Sequence, residues 1–380
     1  MKVLIDAIPM TGLLTGIARY LRNMYTVMSN HSDVDLSYIS GKTLCDSMPP
    51  LADSARWEKA TGAVMKLPDP LVFALRAAHW LRYEQKLRGI CKQNSFDLYH
   101  ETAFVPAKLP GVPTVYSIYD LSLRRWGHTH PRERVWFFEY FLKRRLSYAT
   151  HILTISEFIR QEIIEEFKVP PSMVSTVPLA ADPLFGPRPI EQIKSVRRCY
   201  NLPDSYLLFV GTLEPRKNID VLIAALQAGT VDIPLVLAGW QGWGDKEWME
   251  KIRKAGLAGR VHIIGHVPDE DLVAIYNGAT ALVYPSLYEG FGLPILEAMA
   301  CGCPVICSNV ASMPEVAGNA ALLIDPADSE ELAANIEIVA HDNNKRAEMI
   351  EQGRQQAAKF SWERTAGETL DVFKKVVEKQ

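Results

Sequence analysis

The chain has 380 residues, too many for one ordinary core and enough for two domains of roughly 150–200 residues. Its 48% apolar and 22% charged content is that of a soluble globular protein, and no apolar run approaches the roughly 20 residues that span a bilayer. The net charge of −3 is unevenly placed: residues 1–190 carry 23 Lys+Arg against 18 Asp+Glu, and residues 191–380 carry 18 against 26. The mild basic excess of the first half leans toward an anionic surface or acceptor there, and no nucleic-acid partner is expected.

In chain order, short apolar runs alternate with helical stretches. Residues 1–6 read as a first buried strand, too short and too soon acidic for a signal peptide. Directly after it comes Thr11-Gly-Leu-Leu-Thr-Gly16-Ile-Ala-Arg. A glycine there permits close backbone approach, and the following helix start offers free N–H groups to an anion; a plain strand–helix turn reads as well. Further strands are expected at residues 34–39, 97–100, 114–118, 151–155 and 174–177. In the second half they are expected at 206–210, 235–238, 261–264, 281–284, 304–307 and 321–324. Their Val, Ile and Leu content lacks strict alternation, which is how strands covered on both faces look. Helical patterns lie between, including 158–167, 219–227 and 294–300. Alternation of this kind predicts parallel α/β sheets, with enough elements for two. The domain join is placed at Asp182-Pro-Leu-Phe-Gly-Pro-Arg-Pro189, where three prolines and a glycine break regular structure. Residues 362–379 read as one amphipathic helix.

Ligands of open parallel sheets bind beyond the carboxyl ends of the strands, so the loops there matter most. Val210-Gly211-Thr212-Leu-Glu-Pro-Arg216-Lys217-Asn218 sets two cations beside a strand end. Arg offers a planar fork and Lys a compact charge, together suited to a diphosphate; the plain alternative is a solvated pair at a helix start, where cations are unfavourable unless an anion sits between. Ile264-Gly-His-Val267-Pro could hold a flat base against backbone groups, though alone it reads as a turn. The strongest signal is Tyr284-Pro-Ser-Leu-Tyr-Glu289-Gly290-Phe291-Gly292-Leu293-Pro-Ile-Leu-Glu297. Two glycines loosen the backbone before a helix, and Pro294 suits its first turn. The N–H groups of Phe291, Gly292 and Leu293 are expected to point outward. Glu297, expected in the first helical turn, would reach toward the same spot. Carboxylates that accept and amides that donate suit a polyhydroxyl ligand; the plain alternative is a capping Glu289 and a surface Glu297.

Three of six cysteines, Cys301, Cys303 and Cys307, lie close together. No further ligand pair completes a zinc site, so they read as buried thiols in a reducing cytosol. Asp33-Val-Asp35 reads as a polar strand start, and no metal or other cofactor is expected. Two basic, aromatic-containing stretches, residues 76–92 (with Trp80, Arg82, Lys86 and Arg88) and 124–145, could meet an anionic membrane; a charged outer helix face is an equal reading.

These motifs resemble the retaining glycosyltransferase family 4. The resemblance covers most of the chain: the Thr15-Gly16-Ile-Ala-Arg loop, Tyr119-Asp120-Leu-Ser, Ile155-Ser156-Glu157-Phe, Gly211 to Asn218, Gly265-His-Val267-Pro, the Glu289-x7-Glu297 motif, and Phe360-Ser-Trp362-Glu. It is similar above all to bacterial members that transfer mannose in surface polysaccharide synthesis. The resemblance implies the GT-B fold, two doubly wound Rossmann-like domains facing across a cleft. The first, acceptor-side domain would span residues 1–185, joined by a returning helix at 362–380; the donor domain would span 186–361. Arg216 and Lys217 would hold the donor diphosphate. Glu289 and the amides of Phe291, Gly292 and Leu293 would grip the sugar, Glu297 the ribose, and the backbone at Val267 the base. Gly211, Thr212 and Gly290 would complete the donor site, Gly16 would let the first domain close on the phosphates, and Asp120 would join the catalytic group. Tyr119 stands where the family often has a histidine, and a phenol cannot carry positive charge; His100 and His128 are conceivable substitutes, although packing roles suit them better.

The implied reaction moves a hexose from GDP-mannose, or alternatively a UDP-sugar, to a glycan or lipid-linked glycan with retention. No carboxylate nucleophile of the kind retaining glycosidases use is evident; the route that the family resemblance implies is front-face attack with the donor phosphate taking the acceptor's proton. The expected location is the cytoplasm or the inner face of its membrane. A sugar-nucleotide epimerase of the same fold, or a non-catalytic nucleotide-sugar-binding subunit, are the competing readings. A dehydrogenase is weaker, since no Gly-x-Gly-x-x-Gly follows either first strand.

Overall fold

The structure, a computed structural model, describes residues 1–12, 15–41, 43–51, 67–103, 105–240 and 245–379, those at 245–247 by backbone alone. The chain divides into two compact units. One comprises Met1–Leu179 with Trp362–Gln380, and the other Ala180–Ser361.

Among the described residues, the first unit is built on seven strands in the order β3-β2-β1-β4-β5-β6-β7. They are β1 (Lys2–Asp6), β2 (Asp35–Ser40), β3 (Thr43–Cys45), β4 (Leu98–Glu101), β5 (Thr114–Ile118), β6 (His151–Thr154) and β7 (Val174–Thr176). All neighbours run parallel except β2 and β3. Strands β4, β5 and β6 are buried at every residue, which explains their unbroken apolar runs. On one face, Leu4, Ile39 and Tyr99 pack with Tyr83 and Leu87 of helix Asp69–Gln93. The terminal helix Trp362–Val377 belongs to this unit. Its Trp362 ring lies 6.1 Å from that of Tyr20, and its Phe373 ring 5.2 Å from that of His100.

Among the described residues, the second unit has six parallel strands in the order β10-β9-β8-β11-β12-β13. They are β8 (Leu207–Val210), β9 (Leu235–Ala238), β10 (Val261–Gly265), β11 (Ala281–Tyr284), β12 (Val305–Ser308) and β13 (Ala321–Ile324). In both sheets the chain starts centrally, winds one way, then crosses back. The reversal falls between β1 and β4 in the first unit and between β8 and β11 in the second. Such switch points open a crevice at the carboxyl ends.

Each strand expected from the sequence is present within a residue of its expected bounds. The antiparallel edge strand β3 was not expected: three residues beside a turn carry no periodicity to read. The division between the units falls after Leu179, before the proline-rich stretch at 182–189.

Candidate active site

The site is assembled at the β8/β11 switch point of the second unit. After β8 the chain makes a tight 3-10 turn, Pro215–Lys217, and leaves it through Asn218 in a left-handed conformation, φ 58°. The Asn218 amide donates to the carbonyls of Pro285 (3.1 Å) and Pro326 (2.7 Å). Leu287 N–H donates to the Arg216 carbonyl at 2.9 Å. The loops after β8 and β11 are therefore one hydrogen-bonded body.

Within that body, Lys217 Nζ donates to Glu289 Oε1 at 2.7 Å and to Tyr284 Oη at 2.6 Å. Arg216 Nη1 lies 3.1 Å from Glu289 Oε2 and donates to the Tyr288 carbonyl, while its Nη2 meets Glu214 Oε1 at 2.5 Å. All four charged side chains are between 9 and 13% exposed. Burial pushes the Glu289 carboxyl up, but Arg216 and Lys217 outweigh it and hold the group at about 2. Burial lowers the Lys217 ammonium, and Glu289 offsets part of that. The formal charges of Glu214, Arg216, Lys217 and Glu289 sum to zero, so an incoming anion must compete with the carboxylates for the cations.

The loop after β11 ends in Gly292, φ 101°, which caps helix Leu293–Ala300. A side chain is disfavoured at that φ, and a Cβ would also come within 3.2 Å of Ile295. Ser312 Oγ, fully buried, lies 2.9 Å from each of the carbonyls of Glu289 and Phe291. Among the described residues, the N–H groups of Phe291, Gly292 and Leu293 find no backbone or side-chain acceptor. Phe291 itself is only 4% exposed. Successive N–H groups without protein acceptors at a helix start form a natural seat for an oxygen-rich ligand.

Glu297 differs from expectation. The helix begins at Leu293, one residue earlier than its sequence pattern indicates, so Glu297 is its fifth residue and lies beyond the first turn. It is buried and accepts a hydrogen bond from Tyr276 at 3.0 Å. Glu289 caps no helix; the cap position is Gly292, without a side-chain bond. Gly211, φ 151°, places its missing Cβ 3.5 Å from the Lys217 stem, and Thr212 follows in the same loop. Val267 is buried just after β10, beside exposed His266. Gly290 is buried in the same loop as the free amides.

The remaining candidates belong to the first unit. Gly16 opens helix Gly16–Met28, capped by Thr15, whose hydroxyl accepts from Ala18 N–H at 3.3 Å; residues 13 and 14 of that loop lie outside the described residues. Tyr119 donates its hydroxyl to the Thr102 carbonyl at 3.1 Å, and Asp120 accepts from Ser122 N–H at 2.8 Å. His100 is fully buried between Tyr25 and Ser117, and burial lowers its imidazole to about 3. It is a neutral packing group at physiological pH. His128 packs near Trp126, with ring centres 5.7 Å apart. Cys301, Cys303 and Cys307 are buried free thiols, each pushed up by burial.

Three contributors were not singled out in the sequence. Glu214 competes for Arg216, Tyr284 meets Lys217, and Gly239 lets two loops touch. A Cβ on Gly239, φ 146°, would lie 2.0 Å from the Gly211 carbonyl oxygen. One glycine after a strand carries no signal of such a contact.

Comparison with known proteins agrees with this architecture. Residues 197–356 match the family described as Glycosyl transferases group 1, and residues 14–183 match Glycosyltransferase Family 4. The structure of sucrose-phosphate synthase from Thermosynechococcus elongatus superimposes with a TM-score of 0.76 at 19% identity, covering all of both chains. Two doubly wound parallel sheets of this kind define the GT-B class of glycosyltransferases. Among sequence relatives, O-antigen chain mannosyltransferase B of Escherichia coli is 35% identical over 386 aligned positions, covering 98% of this chain and all of that protein. MMP alpha-(1->4)-mannosyltransferase of Mycolicibacterium hassiacum is 29% identical over 333, covering 82% and 76%. The chain belongs to the family 4, group 1 glycosyltransferases.

Proposed function

We propose that the protein transfers mannose from GDP-mannose to a glycan or lipid-linked glycan, with retention of anomeric configuration. The observation that carries this reading is the buried Arg216–Lys217–Glu289 cluster beside the free amides of Phe291, Gly292 and Leu293. The names of the two mannosyltransferase relatives support mannose as the sugar.

The donor diphosphate would draw Arg216 and Lys217 from their carboxylates, and these two cations would offset its charge in place of a metal. As the anomeric C–O bond breaks, positive charge grows on the sugar ring and negative charge on the leaving phosphate. Preorganised cations and amides stabilise the latter without reorganising. Glu289 is ionised at neutral pH and accepts from Lys217. It therefore suits accepting sugar hydroxyls rather than donating a proton. Transfer would proceed on the donor's front face, with the leaving phosphate taking the acceptor's proton. Glu297, with Tyr276, would hold the ribose, and the backbone at Val267 the base. Gly16, Tyr119 and Asp120 would act from the first unit.

The chain would work at the inner face of the cytoplasmic membrane. Among the described residues no helix is long and apolar enough to cross it. Helices Asp69–Gln93 and Arg132–Arg145 of the first unit pack together through Phe73 and Tyr140, 6.1 Å apart. They expose Leu71, Leu75, Trp136 and Tyr140, and the Arg144 guanidinium lies 3.9 Å from the Tyr140 ring centre. Exposed apolar side chains on basic helices suit an anionic lipid surface. Part of the basic charge is spent internally: Arg145 pairs with Glu84, and Arg124 with Glu139 and Glu166. Trp80, read from sequence as a surface group, is buried with the Arg145 guanidinium 3.9 Å from its ring centre.

Thermal-shift titration with GDP-mannose, UDP-glucose and ADP-glucose tests the donor, because ligand bound to the folded state raises its stability. GDP-mannose should shift the melt most; a shift with UDP-glucose alone would overturn the donor assignment. Co-sedimentation with phosphatidylglycerol vesicles, reduced in W136S/Y140S, tests the membrane face.

A further inference from the structure

Trp240 and His266 form a stacked pair at the carboxyl edge of the second sheet. Their ring centres lie 4.6 Å apart at an interplanar angle of 14°. Both are exposed, Trp240 at 46%. Large aromatic groups bury well over 100 Å² in a core, so leaving this pair in solvent calls for a partner.

The backbone shows that the pair is built in place. Trp240 follows β9, and its carbonyl accepts from Leu213 N–H at 3.0 Å, in the loop that carries Arg216 and Lys217. Gly239 N–H donates to the Gly265 carbonyl at 2.8 Å, tying the residue before Trp240 to the residue before His266. A register shift within β10 and Gly265 at φ 72° turn the chain so that His266 faces solvent while Val267 is buried. Strands β8, β9 and β10 are neighbours. The His266 loop is thus two strand spacings, about 10 Å, from the cation-bearing loop. That is a length of the order of one nucleoside.

We infer that the Trp240–His266 stack is the platform on which the donor's base is laid, and that it favours a purine over a pyrimidine. The inference rests on the donor-site reading above and adds a specificity determinant to it. A flat base continuing a parallel aromatic stack gains its energy from shared face area, and a bicyclic purine covers more of it than a pyrimidine. The platform therefore acts on the base and leaves the phosphates to Arg216 and Lys217.

Isothermal titration of GDP, UDP and inorganic pyrophosphate into the full chain separates these contributions. We expect Trp240→Ala to weaken GDP binding about tenfold or more, to weaken UDP binding less, and to leave pyrophosphate binding unchanged. His266→Ala should act in the same direction, and Trp240→Phe should restore most of the GDP affinity. A thermal melt like that of the wild type shows that each variant is folded. If the wild type binds GDP and both alanine variants bind it equally well, the platform is wrong and the donor site stands. If the folded wild type binds neither nucleotide, the donor-site reading fails and takes the platform with it.

Discussion

Replacing Glu289 with glutamine keeps its shape and removes its charge. Lys217 and Arg216 would then face each other without the carboxylate between them, while Glu214 still meets Arg216. Breaking a buried ion pair on one side destabilises by about 3–5 kcal/mol. The carboxyl itself gives a matching figure. Its pKa falls from the usual 4.5 to about 2 in the folded chain, and at about 1.4 kcal/mol per unit that difference amounts to about 3 kcal/mol. In a unit of this size the loss lowers the melting temperature by roughly 6–20 °C. The group is depressed on folding, so its contribution is present above about pH 4.5 and fades as pH falls toward about 2. Calorimetric melts of wild type and E289Q should therefore differ most near neutrality and converge in acid. High salt should change the difference little, because the pair is buried. A variant that melts within about 2 °C of wild type at pH 7, or a gap that persists unchanged at pH 3, would show that the Glu289 charge does not stabilise the fold.

The other predictions concern different elements. Gly239→Ala should destabilise the second unit by more than the about 1–3 kcal/mol of an unfavourable backbone conformation alone, because its Cβ would strike the Gly211 carbonyl; a wild-type denaturant midpoint would contradict this. Glu214→Gln should tighten inorganic pyrophosphate binding by freeing Arg216, and titration giving a weaker or equal affinity would oppose the competition described. In the first unit, register brings Asp6 beside Glu101 at the β1/β4 switch point, both buried. Burial raises Asp6 to about 6, and burial with the Asp6 charge raises Glu101 well above its ordinary value. The folded unit then binds more protons than the unfolded one. The stabilisation from Asp6 is full below about pH 4 and lost as pH rises through about 6. Asp6→Asn should flatten that slope in melts from about pH 4 to pH 8, and an unchanged slope would reject it.

Much of the fold was legible because its strands are covered on both faces. Runs such as Leu207–Val210 and Ala281–Tyr284 need no alternation to be recognised. Strand β3 was not legible: a three-residue edge strand is set by its neighbour, not by its own pattern. The glycine-rich motif and the paired cations were visible as separate signals. Their union was not, because Lys217 and Glu289 are 72 residues apart in the chain. Only the adjacency of β8 and β11 joins them. The bond of Glu297 to Tyr276 was not legible, because the two residues lie on different helices that only the fold brings together. Trp80 was misread because a basic stretch looks solvated in sequence, whereas Arg145 stacks over the ring and covers it.

The central claim is best tested by following the products of GDP-mannose with a mannose-terminated lipid-linked oligosaccharide by NMR. The account predicts GDP release that depends on acceptor, a new α-mannosyl linkage from the α-linked donor, and loss of transfer in both Arg216→Ala and Lys217→Ala. A β-linked product, transfer from UDP-sugars alone, or transfer surviving in both variants would contradict it.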